Sequence, residues 1–144
     1  MDDRQRLEQM INEINMYQSQ ADVLKQQIET IKASIAELIS TEETLNAIEG
    51  KENTETFIPI GAGSFLIAEL KDTDKVIMGL GAGAAVKKSR ADAKETISSQ
   101  KKELEQLVDK MVGDMQKITD YIVKKSPEAE ALLRKVETEE AGQQ

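Results

Sequence analysis

The 144-residue chain contains no cysteine and no histidine. That excludes thiol nucleophiles, disulfides, Cys/His metal sites and imidazole acid–base chemistry. No other catalytic constellation replaces them, so no enzyme activity, cofactor or metal is expected. Tryptophan is absent too, and aromatic residues make up only 3% of the chain. A compact core of this size uses more large rings, so an elongated fold with a thin core is expected. No apolar run is long enough to span a membrane, and the start, MDDRQRLEQ, lacks the apolar stretch of a signal peptide. The lack of cysteine fits a reducing compartment, and a soluble cytoplasmic protein is expected. Net charge is −8, with the cations interspersed among acids. This disfavours nucleic acid and anionic membrane as partners. The densest basic spot, KKSR at residues 87–90, reads as a solvated helix start.

What is present divides into three parts. In the first arm, residues 3–48, apolar side chains recur every seven residues. One set is Leu7, Ile14, Ala21, Ile28 and Ile35; the other is Met10, Tyr17, Leu24, Ile31, Leu38 and Leu45. As a and d positions they form an unbroken stripe until Glu42 takes an a position, which is a coiled-coil signal. At roughly 1.5 Å per residue the helix is on the order of 65 Å long. Ile11 and Ile39 widen the stripe, and Met16 lies off it. A polar stretch around Gly50 reads as the helix stop.

The middle, residues 55–88, changes character. TFIPI, FLIAEL, KVIMGL and a short AAVK read as four strands. Gly61-Ala62-Gly63, Lys71-Asp72-Thr73-Asp74 and Gly81-Ala82-Gly83 read as the turns between them, giving two hairpins in series. Pro59 argues for an edge position. The run from Gly79 to Ala84 also fits G-x-G-x-x-A, a dinucleotide fingerprint. The parallel strand that this motif needs after its helix is missing, so a nucleotide-binding enzyme is set aside. Four short strands cannot bury their own apolar faces, and their edges are open. Strands from several chains are therefore expected to join through Phe57, Ile58, Ile60, Phe65, Leu66, Ile67, Val76, Ile77, Met78 and Leu80.

The second arm, residues 89–136, opens at Ser89, a candidate N-cap with Asp92 three residues on. Ile97, Leu104, Met111 and Ile118 read as a positions. Ala93, Gln100, Leu107, Asp114 and Tyr121 read as d, with Val108, Met115 and Ile122 beside them. Two polar d sites suggest a register-fixing seam. Ser126-Pro127 starts a new short helix or kinks one helix, and residues 137–144 are expected to fray. Arms of matching length fold back on each other, bringing Leu45 to Ala93 at the base and Met10 toward Pro127 at the tip. The fold class is α+β: a long antiparallel helical hairpin coiled coil with two β-hairpins inserted between its helices. Parallel pairing of two chains is disfavoured, because the middle is compact enough to return the chain.

Over essentially its whole length this pattern resembles prefoldin, specifically the alpha-type subunit with two hairpins. The most specific residues are Phe57-Ile58-Pro59-Ile60-Gly61-Ala62-Gly63-Ser64, Lys71-Asp72-Thr73-Asp74-Lys75-Val76-Ile77 and Gly79-Leu80-Gly81-Ala82-Gly83. The resemblance implies one domain over residues 1–144 and an ATP-independent holdase chaperone. Two alpha-type and four beta-type subunits would form a hexamer on a shared β-barrel. It also implies capture of unfolded proteins at coiled-coil tips and delivery to a group II chaperonin. The tip candidates are Leu7, Met10, Ile11, Ile14, Met16, Ile122, Val123, Leu132, Leu133 and Val136. The competing reading is a structural or tethering coiled-coil protein joined through its β insert.

Overall fold

The computed structural model describes residues 2–143. The elements are α1 (Asp3–Ala47), β1 (Glu55–Gly61), β2 (Ser64–Glu69), β3 (Lys75–Gly81), β4 (Ala84–Ser89) and α2 (Arg90–Gly142). Two long helices bracket two β-hairpins, as expected. A reciprocal cap opens α1: the Gln5 N–H donates to Asp2 Oδ1 at 2.8 Å, and the Asp2 N–H to Gln5 Oε1 at 3.2 Å. These bonds satisfy donors that a helix start otherwise leaves orphaned. The predicted cap of α2 forms as well, with the Asp92 N–H donating to Ser89 Oγ at 3.1 Å.

The chain divides into two compact units, Ala33–Glu105, and Met1–Lys32 with Gln106–Gln144. The first holds both hairpins. Its core is Leu45, Ala93 and Ile97, with Leu38, Val76 and Met78 packed against them. Leu45 meets Ala93, as the antiparallel register requires. Arg90 is not a solvated residue of a basic spot. Its guanidinium lies at the end of α1, donating to the Leu45 carbonyl at 3.4 Å and pairing with Glu49 at 3.0 Å. A cation there complements the negative end of the helix and satisfies a carbonyl that has no intrahelical partner. Thr73, in the link between hairpins, is only 1% exposed. Its hydroxyl donates to Glu52 Oε1 at 2.6 Å and holds the Glu52 carboxyl below the usual carboxylate range. The link is thereby pinned to the segment that follows α1.

Each hairpin closes through the same device. Ala62 and Gly63 have φ of 49° and 71°; Ala82 and Gly83 have 51° and 77°. Consecutive positive φ values make the two-residue turn whose twist suits a hairpin. Pairing slips between Pro59 and Gly61 and again between Gly79 and Gly81, leaving one extra residue, Ile60 or Leu80, as a bulge. The glycines that mimic a dinucleotide fingerprint are therefore the bulge and turn of an antiparallel hairpin. Both sheets have only two strands, so Pro59 sits on an edge by necessity. No closed sheet forms among the described residues. The barrel implied by resemblance is not a property of one chain.

The seam of α1 follows its heptads: Leu7 and Ile28 are buried, and Met10, Ile14, Tyr17, Ala21, Leu24 and Ile31 are half-buried. In α2 the inward positions are Ala93, Ile97 and Lys101, then Leu104, Val108, Met111, Met115, Ile118 and Ile122. The added four-residue step before Lys101 shifts the stripe by one position. The expected d residues Gln100, Leu107 and Asp114 consequently face solvent. The polar seam position is instead Lys101, whose ammonium lies 3.0 Å from Glu42 Oε2. Pro127 neither ends nor divides α2, and the helix continues through the segment expected to fray, to Gly142. Near Pro127 the Ser126 hydroxyl donates to the Ile122 carbonyl at 2.8 Å.

The Glu42–Lys101 pair is partly shielded, and the second Glu42 oxygen is buried without a partner. Lys101→Met leaves that carboxylate unpaired in the seam and is expected to destabilise the chain by about 1–3 kcal/mol. Adding Glu42→Leu removes the stranded charge and is expected to restore or exceed parental stability. Thermal unfolding of the four proteins of this cycle is the check. Equal stability of Lys101→Met and the parent would show that the pair contributes nothing.

Candidate functional site

Among the described residues the unusual surface is apolar. In the first hairpin the register places Phe57 opposite Ile67 and Pro59 opposite Phe65 on one face. It places Ile58 opposite Leu66 and Thr56 opposite Ala68 on the other. Both faces are thus apolar, and Phe57, Ile58, Ile60, Phe65, Leu66 and Ile67 are all exposed. Phe57 and Phe65 meet edge to face with centroids 6.5 Å apart, an aromatic pair left open to water. A strand apolar on both sides is a strand built for burial on both sides.

The second hairpin is different. Val76 and Met78 pack against the Leu45–Ala93–Ile97 core, and half-buried Val86 stands opposite Met78. Those two candidate assembly residues therefore hold the hairpin to its own helices. Ile77, on the other face, is 76% exposed, and Leu80 in the bulge is 67% exposed. Ile77 stands opposite Lys87. The sequence reading missed Val86; its register opposite Met78 was the available signal.

In the other unit, the ten residues proposed at the tip fall into two groups. Leu7 and Val136 are buried, and Met10, Ile14, Ile122 and Leu132 are half-buried, as seam residues are. Ile11, Met16, Val123 and Leu133 are exposed. Ion pairs hold the helices where α1 starts: Lys135 with Asp3, and Arg4 with Glu140 at 3.5 Å. Lys135 pulls the Asp3 carboxyl below its ordinary range, and Asp3 raises the lysine in return. Further along, the Tyr121 hydroxyl donates to Glu13 Oε2 at 2.8 Å, which pushes the phenol up. The Tyr17 and Tyr121 rings stack tilted at 4.6 Å.

Residues 17–135 match the family model described as Prefoldin subunit. The chain belongs to the prefoldin family. Prefoldin subunit alpha of Methanobrevibacter smithii is 49% identical over 132 residues, covering 92% of this chain and 90% of that protein. Prefoldin subunit alpha of Methanosphaera stadtmanae is 40% identical, covering 93% of this chain and 96% of that protein. A chain from the cryo-EM structure of filamentous PFD from Methanocaldococcus jannaschii shares the fold. Its TM-score is 0.68 at 19% identity, over 78% of this chain and 94% of that one.

Prefoldins are chaperones that hold unfolded proteins and deliver them to a chaperonin, and this chain is a subunit of that class. Prefoldin subunits assemble with one another, which accounts for a hairpin apolar on both faces. No described helix is long and apolar enough to cross a membrane. Beyond the hairpin apolars, the prefoldin fold here depends on polar residues whose contacts the sequence pattern did not show. Thr73 and Arg90 hold the base, and Glu42 with Lys101 occupies the seam. All four are polar side chains whose shielding depends on tertiary contacts, which hydropathy does not mark.

Proposed function

We propose that this chain is the alpha-type subunit of a cytoplasmic, ATP-independent holdase. Two copies assemble with four beta-type subunits. Their hairpins join into a shared barrel, and the helical ends capture unfolded proteins for transfer to a group II chaperonin. The observation that carries this reading is the first hairpin, whose two exposed apolar faces require other chains to cover them. Its open edges supply backbone donors and acceptors for strand addition. The client surface is assigned to Leu7, Met10, Ile11, Ile14, Met16, Ile122, Val123, Leu132, Leu133 and Val136. Methionine adapts to clients of varied shape, and the surrounding charge keeps such a surface soluble.

The test is to mix the chain with the beta-type subunit of its own source. Native mass spectrometry should give a two-plus-four hexamer, and that hexamer should suppress aggregation of a diluted, denatured protein without nucleotide. A homodimer that ignores the beta-type subunit and protects no client would instead establish the tethering coiled-coil reading.

A further inference from the structure

We infer that the flank of the coiled coil, well inside its ends, carries a second client-binding strip that takes an extended unfolded segment. Two adjoining grooves lie between the helices of the unit formed by Met1–Lys32 and Gln106–Gln144. One, of 760 Å³, is floored by Leu24, Ile31 and Met111 and flanked by Val23 and Leu107. The other, of 650 Å³, runs from Val23 and Leu24 to Met16 and Ile118. Val23, Leu24 and Gln27 line both, so the strip is continuous. Neither Val23 nor Leu107 belongs to the seam. They are 53% and 43% exposed, where a coiled coil ordinarily carries charge.

The occupant follows from charge, shape and continuity. In a chain with net charge −8, the α1 residues lining both grooves include no charged group: the rim is Ser19, Gln20, Gln26, Gln27 and Thr30. On α2 the only charges are Lys110 and Asp114, which oppose each other. Glutamine amides offer both a donor and an acceptor, matching the peptide groups of an extended chain. A docked helix has already used its own backbone groups, and a second copy of this acidic coiled coil would bring charges to a neutral rim. From Met16 to Ile31 the strip is about 22 Å long at 1.5 Å per residue. That is room for roughly seven extended residues at about 3.3 Å each. Met16 also stands among the proposed end residues, so the strip continues the proposed client surface, and this inference rests on the holdase reading.

The test uses the assembled hexamer and a fluorescently labelled, reduced and alkylated lactalbumin as a permanently unfolded probe. Val23→Lys, and separately Leu107→Lys, should weaken capture about tenfold with assembly mass and melting unchanged. Val23→Leu should retain capture. A benzophenone amino acid at position 23 should crosslink to the probe, and one at exposed position 25 should not. Parental affinity in both lysine variants, alongside capture by the unmodified hexamer, overturns the strip and leaves the holdase reading intact. A changed assembly mass in Val23→Lys would make the strip a subunit interface and overturn the proposal. No capture by the unmodified hexamer overturns both.

Discussion

Ile58→Lys combined with Ile67→Lys is expected to abolish assembly of this chain with its partner subunits while leaving the chain itself folded. The two positions sit on opposite faces of the first hairpin, because Ile58 pairs with Leu66 and Ile67 with Phe57. Both are exposed in the isolated chain, and neither packs on the Leu45–Ala93–Ile97 core. Burying an isoleucine in a partner contributes about 1.5–3 kcal/mol, and an unpaired ammonium buried in its place costs several kcal/mol more. Two such changes weaken association by more than about a thousandfold, since each 1.4 kcal/mol is tenfold. Native mass should report free chain, and far-UV circular dichroism should report undiminished helix. The single variants then rank the faces: the one that alone prevents assembly marks the interior of the shared sheet. A double variant that still forms the complete complex would remove the first hairpin from the interface.

The same residues show why much of this fold is legible without coordinates. The α1 heptads are unbroken from Leu7 to Leu38, so seam, length and solvent face follow from counting. The repeated Gly-Ala-Gly marks two hairpins, since glycine supplies positive φ without steric cost. That Ala62 and Ala82 also adopt positive φ could not be anticipated, because a β-carbon makes that region costly by about 1–2 kcal/mol. The bulge at each glycine supplies the missing reason: two successive left-handed residues are needed to return the strand, and alanine occupies one of them. In α2, counting fails. A strict seven-residue frame from Ile97 assigns Gln100 and Asp114 to the seam, and the four-residue step to Lys101 moves both outward. The step is invisible in hydropathy because the inward residue is a lysine, and only Glu42 across the seam explains why it is tolerated.

Assembly surface and client surface also differ in how they can be found. The exposed apolars of the first hairpin lie outside the Leu45–Ala93–Ile97 core, so strand pattern alone exposes them. Apolars near the ends of α1 and α2 satisfy the seam and could serve clients, and periodicity does not separate those uses. Exposure does: Ile11, Met16, Val123 and Leu133 are open to solvent in the paired state, whereas Leu7 and Val136 are covered. On the proposed reading, the ends would offer a client some contacts at once and others only when the helices part.

Removing residues 1–14 together with 128–144 is expected to lower suppression of client aggregation severalfold, to what the strip from Met16 to Ile31 alone supports, while leaving assembly intact. The deletion takes Leu7, Met10, Ile11, Ile14, Leu132, Leu133 and Val136, and with them the Asp3–Lys135 and Arg4–Glu140 pairs that close the ends. It spares both hairpins, the Arg90 cap and the buried Ile28, Val108 and Leu45. Each helix keeps more than thirty residues, so the remaining coiled coil is long enough to persist. Pro127, which lacks the N–H that its turn of α2 would use, makes the last turns the cheapest to open. A gentler variant separates seam loss from client loss. Ile11→Ser with Leu133→Ser removes only exposed side chains and should change stability by no more than about 0.5 kcal/mol, yet it should lower capture severalfold. Light scattering of a denatured client with each assembled complex measures the effect. Full protection by the truncated chain would place the client elsewhere on the molecule. Loss in the deletion with none in the serine variant would show that clients enter only after the helices separate.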